Sequence, residues 1–423
     1  MKHRVVITGL GVVSPNGVGI PDFTEAIKEG RSGIKFIPEL EALNFSCQLA
    51  GTPQIFEQKK KEYFTDLQLK NFNSSGILYG VIAGMDALKD AGIAVAKKGE
   101  EPLWDLGIIF GTGTSGVEKF REAIYRLDDK KVRRLGSTTV AQTMASGISA
   151  YLGGMTGAGN MVTTNSSACA TGTEAILMGY DRIASGQATQ MLCGSCSDSG
   201  PYVWGGFDAM KVTTYKHNNE PSKASRPMSK SASGFVPGSG AGALLLESLE
   251  SALKRDATIY AEVLGGAVNS GGQKNGGSMT APNSAAVVRC IIQALENAEI
   301  EASEIDYING HLTATVKDPD EIENWCKALD RKGKEFPYIN SLKSMTGHCL
   351  AAGGSIEAIS AVLQLHEGFI FPNVNCEDVH PRISALIHRN SLPKKAIKVK
   401  LKTVAKASFG FGDVNACVIF RKN

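Results

Sequence analysis

The chain has 423 residues, 43% of them hydrophobic and 21% charged, with a formal net charge of +3. Those proportions describe a folded globular protein with room for two domains or one large duplicated domain. They exclude a disordered chain and a general nucleic-acid binder, while leaving room for a local basic patch that meets an acidic partner.

The opening run RVVITGLGVV is short, apolar and broken by glycines, and SPNG follows it, so it reads as a first strand and turn rather than a signal peptide. No stretch is long enough to span a bilayer. Nine cysteines, an odd number scattered along the chain, suggest neither a disulfide framework nor a zinc site, and a reducing cytoplasm is the expected compartment.

After the strand at Val5–Gly9, a polar segment to about Lys61 reads as surface. Ile77, Val81, Ile82, Met85 and Leu88 recur at helical spacing, with Gly92 as the expected C-cap, and LGIIFGTGTSG reads as a buried strand entering a glycine loop. The stretch 200–240, rich in Ser, Pro, Lys and Gly, breaks this alternation and is expected to pack over the functional face. A strand at 243–246, a helix at 247–255 and a strand at 259–265 then resume an α/β pattern.

Two internal echoes appear in the same order. MDALKDAGI precedes the strand LGIIFGTGTSG, as IQALENAEI precedes IDYINGHLTAT; GTEAILMGYDRIASGQ resembles SIEAISAVLQLHEGFI. They imply two halves of similar topology, 1–250 and 251–423, related by a pseudo-two-fold axis that brings equivalent loops together.

The segment TTNSSACATGTEAILMGYDRIASGQ places Cys169 among small residues where an extended run meets a buried helix. A helix N-terminus favours a thiolate through its free N–H groups and dipole, so Cys169 is the candidate nucleophile. His311 lies in the second-half loop NGHLTAT and His348 in SLKSMTGHCLAAGG, the counterpart of the Cys169 loop, so both are expected to face the thiol. His3, His217, His366, His380 and His388 have no such placement.

The motifs SSACATG, NGHLTAT, SLKSMTGH and SFGFGDVNA, in this order over essentially the whole chain, resemble the active-site motifs of the 3-oxoacyl-[acyl-carrier-protein] synthases of types I and II. The resemblance implies an α/β thiolase-like duplicated fold, layered α-β-α-β-α with two central mixed sheets. It implies a decarboxylating Claisen condensation of an acyl group on Cys169 with malonyl-acyl carrier protein, for fatty-acid-type elongation or for a specialised polyene or polyketide pathway. A tunnel-shaping partner subunit is the non-catalytic alternative. It further implies a homodimer, or a heterodimer with a second ketosynthase-like chain, acting on acyl and malonyl thioesters of acyl carrier protein without resident cofactor or metal, nucleic acid or membrane.

By the same resemblance, Cys169 and Phe411 supply oxyanion N–H groups, His311 and His348 serve decarboxylation, Lys343 supports the network, and Glu357, a buried glutamate on the helix beyond, is set among the substrate-binding residues. Thr313 and Thr315 bind the pantetheine arm, Phe409 and Phe411 gate the acyl pocket, Thr114 stands at its end, and Lys70 and Lys211 steer the acidic carrier. Departures are Leu312 for a glycine, Ala314 for a hydroxyl residue, an apparent insertion before Glu323, Asp413 in the gating turn, and Ser233 and Ser239 where acids are usual.

Overall fold

The computed structural model describes residues 2–423. Ten strands carry the architecture: β1 (Val5–Ser14), β2 (Leu106–Thr112), β3 (Val162–Thr163), β4 (Gln190–Ser197) and β5 (Gly240–Ser248), then β6 (Ala261–Ser270), β7 (Tyr307–Asn309), β8 (Tyr338–Asn340), β9 (Thr403–Gly410) and β10 (Val414–Arg421). Their hydrogen-bonded order is β3-β2-β4-β5-β1 followed by β6-β10-β9-β7-β8, and a short strand at Gly17–Val18 pairs with β1. The second five therefore repeat the order of the first five in mirror sequence about the β1–β6 junction. The two sheets expected from sequence are joined there, Val5 opposite Val263 and Ile7 opposite Ala261, into one eleven-stranded ladder.

Equivalent helices follow equivalent strands. Helix α1 (Ser75–Asp90) and helix α3 (Ser284–Asn297) bridge the first and second strands of each half; α2 (Thr171–Ala184) and α5 (Gly353–Glu367) follow the third. Every residue from Gly353 to Leu365 is buried, which a helix achieves only when it is enclosed on all sides. Ala175, Ile176, Ile356, Ile359 and Val362 share one core with residues of both sheet halves, while separate cores lie under α1 and under α3 with α4 (Asp318–Leu329). The layers are thus helix, sheet, paired helices, sheet, helix.

Several boundaries move. The helix expected from 247 begins at Leu249, because β5 runs on to Ser248, whose side chain caps it. The segment before Lys61 is not only surface: Phe23, Ala26, Ile27 and Leu49 are buried. Cys193 and Cys196 form a Cys-x-x-Cys run that a reading of scattered cysteines passes over. Three residues apart on β4, they point to opposite faces and join different cores, so they cannot share a ligand.

Candidate active site

After β3 the chain runs extended to Ser167, makes one turn at Ala168–Ala170 and enters α2. Ala168 sits at φ +48, a conformation that L-residues with a Cβ rarely adopt. Thr171 Oγ1 holds the turn, accepting from Ser167 N at 2.9 Å and donating to Ala168 O at 2.7 Å. The second half repeats it at Leu350–Ala352 before α5, with Leu350 at φ +51, so Ala351 occupies the position of Cys169.

The backbone N–H groups of Phe411 and of Cys169 itself lie near enough to the sulfur to favour its anion. Burial nevertheless pushes the Cys169 thiol up to about 11, against the pull of Lys343 and these two N–H groups. The expectation of a thiolate favoured at rest by the helix N-terminus is corrected accordingly: desolvation outweighs it, and the resting group is the thiol.

His348 follows the turn at Gly347 and is held by the 200–240 excursion, with His348 N donating to Val236 O at 2.7 Å and Gly238 N to His348 O at 2.9 Å. Its Nε2 lies 3.1 Å from Cys169 Sγ, and its Nδ1 accepts from Leu350 N at 3.2 Å. His311 lies two residues past the end of β7, its ring 5.4 Å from that of His348 and edge-on to it. One ligand-capable atom from each of Cys169, His311 and His348 lies within 4.8 Å of the others. Burial first, then the cations Lys343 and Lys406, holds both imidazoles well below the usual histidine range; both are neutral at pH 7.

Two carboxylates that sequence reading missed shape the His311 loop. Glu321 accepts from His311 N and Leu312 N, both at 2.7 Å. Asp318 accepts from Thr313 N at 3.1 Å and Ala314 N at 3.2 Å, and from Met228 N at 2.8 Å. These bonds hold Leu312 at φ +24 and Ala314 at φ +62. The signal was the DPDE run opening α4, three acids in the first turn of a helix directly after the motif. Glu323 is instead a half-buried partner of Lys327 and Arg382. Leu312 packs into the core with Ile308 and Trp325 and does not line the cleft.

Beneath the histidines, Lys343 Nζ donates to His311 O at 2.6 Å and pairs with Glu357, which also accepts from Lys406 at 2.8 Å. Glu357 is 2% exposed and committed to two lysines, so it cannot touch a substrate; it stands behind the site. Lys406 was also missed, although a lysine inside the otherwise small and apolar strand TVAKASFG marks a buried charge.

A cleft of about 510 Å³ reaches the three reacting groups. Thr313, Thr315, Phe409, Phe411 and Lys211 line it, together with Phe207, Ser233 and Phe235 from the excursion, which therefore covers this face as expected. Thr313 Oγ1 and Thr315 Oγ1 are 3.2 Å apart. Ser239 lies away from the cleft, against Ser199 Oγ at 2.5 Å. Asp413, at φ +62 and fully buried, accepts from Gln273 N at 3.0 Å and Asn283 N at 2.8 Å. Lys70, exposed at the end of a short helix, does not line the cleft, and neither does Thr114, whose exposed loop lies outside it.

With this geometry in hand, two family models match in tandem: "Beta-ketoacyl synthase, N-terminal domain" over residues 2–252 and "Beta-ketoacyl synthase, C-terminal domain" over 260–377. The chain is 34% identical over 425 residues to 3-oxoacyl-[acyl-carrier-protein] synthase 2 of Vibrio harveyi, covering 100% of this chain and 99% of that protein. Among solved structures it resembles the ishigamide ketosynthase/chain length factor, with TM-score 0.87, 28% identity and 100% of both chains covered. It also resembles a type II PKS ketosynthase, described in complex with its acyl-carrier protein and bound to the hexaketide, with TM-score 0.85, 27% identity and 100% of both chains covered.

Proposed function

The chain belongs to the beta-ketoacyl synthase family, and on that premise we propose that it condenses an acyl group on Cys169 with malonyl-acyl carrier protein, losing CO2 and giving a 3-oxoacyl-acyl carrier protein. One observation carries this reading. The Cys169 sulfur lies 3.1 Å from His348 Nε2, with His311 beside both, at the floor of a cleft open to a long thioester arm.

The chemistry follows from these positions. Cys169 loses its proton as the acyl thioester arrives and attacks the carbonyl; the oxyanion takes the Cys169 and Phe411 N–H groups, and the pantetheine thiol leaves with the proton. In the second step the bond from malonyl carbon to its carboxylate breaks, CO2 departs, and the electron pair passes to the thioester enolate. Neutral His311 and His348 donate N–H bonds to the enolate oxygen. The enolate carbon attacks the acyl carbonyl, the C–S bond breaks, and the Cys169 thiolate returns.

Thr313 and Thr315 bind the pantetheine arm, and Phe409 and Phe411 move as the gate. Lys211 at the mouth and Lys70 outside it attract an acidic carrier protein, an interaction that weakens with salt. Thr114 ends an acyl pocket when a second ketosynthase-like chain, identical or not, covers its exposed loop. The halves 1–250 and 251–423 contribute the nucleophile and the histidines respectively. The reaction needs no resident cofactor or metal. Its compartment is the cytoplasm, consistent with nine free cysteines and with the lack, among the described residues, of any helix long and apolar enough to cross a membrane.

A specialised polyene or polyketide pathway is the second reading, favoured by the likeness to the ishigamide and type II PKS ketosynthases and by Asp413 in the gate. A purely tunnel-shaping subunit has no use for the Cys169 geometry. The test is to offer acyl carrier thioesters of graded length and unsaturation with malonyl carrier protein, and to follow acyl-Cys169 by intact mass. An adduct lost in Cys169→Ala is expected; no adduct from any thioester would sink the enzyme reading, and preference for polyunsaturated groups would select the second pathway.

A further inference from the structure

Two buried ammonium groups share one buried carboxylate behind the reacting sulfur. Lys343 and Lys406 bond opposite oxygens of Glu357, and all three side chains are 3% exposed or less. The condensation described above gives Lys406 no role.

Lys406 is nonetheless fully placed. Besides Glu357 it donates to Ala407 O and, at 2.9 Å, to Ser408 Oγ, so its three protons are all engaged. Ser408 Oγ lies 2.9 Å from Thr173 Oγ1, two residues into the helix that begins beside Cys169. Lys343 meanwhile holds His311 O. The network thus spans the Cys169 helix, the His311 loop and the strand leading to Phe411.

One lysine balances Glu357; two leave a net charge of +1 in a region that water does not screen. The other titratable groups facing the cluster are Tyr307 and His311 from the β7 end, Glu321 from α4, Cys417 from β10, and Cys169, His348 and Cys349 from their loops. Glu321 is the only further acid among them; it bonds the backbone of His311 and Leu312 and pairs with neither lysine, so its carboxylate offsets part of the field from outside the Lys343–Glu357–Lys406 triad, whose own charge stays +1.

We propose that Lys406 is a positioning residue that gives the buried network behind Cys169 its net positive charge, and that this charge stabilises the anions of the reaction, the Cys169 thiolate and the malonyl-derived enolate. The enolate half rests on the reading of the protein as a condensing enzyme; the thiolate half rests on the charge count alone.

The test is the rate at which iodoacetamide alkylates Cys169 at pH 8, read by peptide mass in the full-length protein. The cluster carries +1 in the wild type, 0 in Lys406→Met and +2 in Glu357→Gln. Since thiolate fraction sets the rate, Lys406→Met is expected to react about tenfold more slowly, the effect of one unit of thiol pKa, and Glu357→Gln faster than wild type. Lys406→Arg keeps the charge and the wild-type rate. A merely structural role loosens the site and speeds alkylation in both neutralised variants, so Lys406→Met reacting at or above the wild-type rate overturns the proposal. If Lys406→Met does not fold, Glu357→Gln decides: a rate equal to or below wild type overturns it. Alkylation rates in this order, with wild-type protein that never releases CO2 from malonyl carrier protein, would sink the condensing-enzyme reading and leave the charge assignment standing.

Discussion

His348 turns Nε2 toward the Cys169 sulfur at 3.1 Å while its Nδ1 accepts the Leu350 N–H at 3.2 Å. A ring nitrogen that accepts a backbone N–H carries no proton, so in the neutral ring the proton sits on Nε2 and faces the sulfur. His348 is therefore a hydrogen-bond donor there and not a base. His348→Ala is expected to form acyl-Cys169 while malonyl decarboxylation falls about 10²–10³-fold, the usual cost of one oxyanion donor. His311→Ala should behave alike. Intact mass for the adduct and CO2 release for the second step check this, and normal CO2 release in both variants would refute the roles given to the two rings.

The two half-reactions should respond to pH in different ways. Because the Cys169 thiol is pushed up to about 11, its thiolate fraction grows tenfold per unit across the neutral range, so acylation should accelerate from pH 6 to pH 9. Both histidines are held low and gain their protons only well below pH 6.5. Decarboxylation by protein already acylated should therefore show no histidine limb near 6.5. A decarboxylation limb at 6.5 that vanishes in His311→Ala or His348→Ala would show that burial does not hold the rings neutral.

Glu321 offers a separate limb. Desolvation raises its carboxyl to about 7 although it accepts two backbone N–H groups. Protonation below that value weakens the acceptor that holds His311 and Leu312. Glu321→Gln presents an amide N–H₂ to one of those donors and leaves it unsatisfied, a loss of about 1–3 kcal/mol. Decarboxylation should fall about tenfold or more while acyl-Cys169 still forms, and any limb near pH 7 should disappear with the carboxylate. Equal loss of both half-reactions would mean a general collapse of the loop.

What the sequence made legible was whatever depends on short-range pattern. The strand-turn-helix around Cys169, the echo between α2 and α5, and the meeting of His311 and His348 with the thiol could all be read from spacing and self-similarity. Asp318, Glu321 and Lys406 could not be read in this way, because each acts by bonding groups brought to it by the fold, and an acid opening a helix or a lysine in a strand has many ordinary explanations. Glu357 was set among the substrate-binding residues for a related reason: sequence gives neighbourhood, not the direction a side chain takes. For Leu312 the positive φ imposed by Glu321 and Asp318 sends it into the core.

Asp413 ties the turn carrying Phe411 to the segment 271–283 at the cleft mouth, through Gln273 N and Asn283 N, while Gly271 N donates to Asp413 O at 2.9 Å and Gly412 N to Met279 O at 2.8 Å. Asp413→Gly relieves the positive φ, worth about 1 kcal/mol, but forfeits two charge-assisted bonds of about 1.5–3 kcal/mol each. A net destabilisation of about 2 kcal/mol or more is expected from urea unfolding, with faster amide exchange concentrated at 271–283. Unchanged exchange there would show that the carboxylate does not hold the mouth.

The closest constraint on the site is the crossing of the two central helices. A Cβ at Gly172 would lie 2.3 Å from Ser355 N and 2.5 Å from Ser195 Oγ, and one at Gly354 would lie 2.7 Å from Thr173 N. The obstacles include backbone of the opposite helix, so neither can be relieved by a rotamer change. Overpacking of this kind costs about 1–3 kcal/mol, and more when backbone must shift. Gly172→Ala should therefore lower the urea midpoint and, by pushing the start of α2 away from α5, carry the Cys169 N–H out of the oxyanion pair it makes with the Phe411 N–H and slow acylation. Gly154 has open space around its missing Cβ and an ordinary φ on an exposed helix, so Gly154→Ala should leave acylation alone and stabilise by about 0.4–1 kcal/mol. If both substitutions shift the midpoint equally, helix propensity and not the crossing governs these positions.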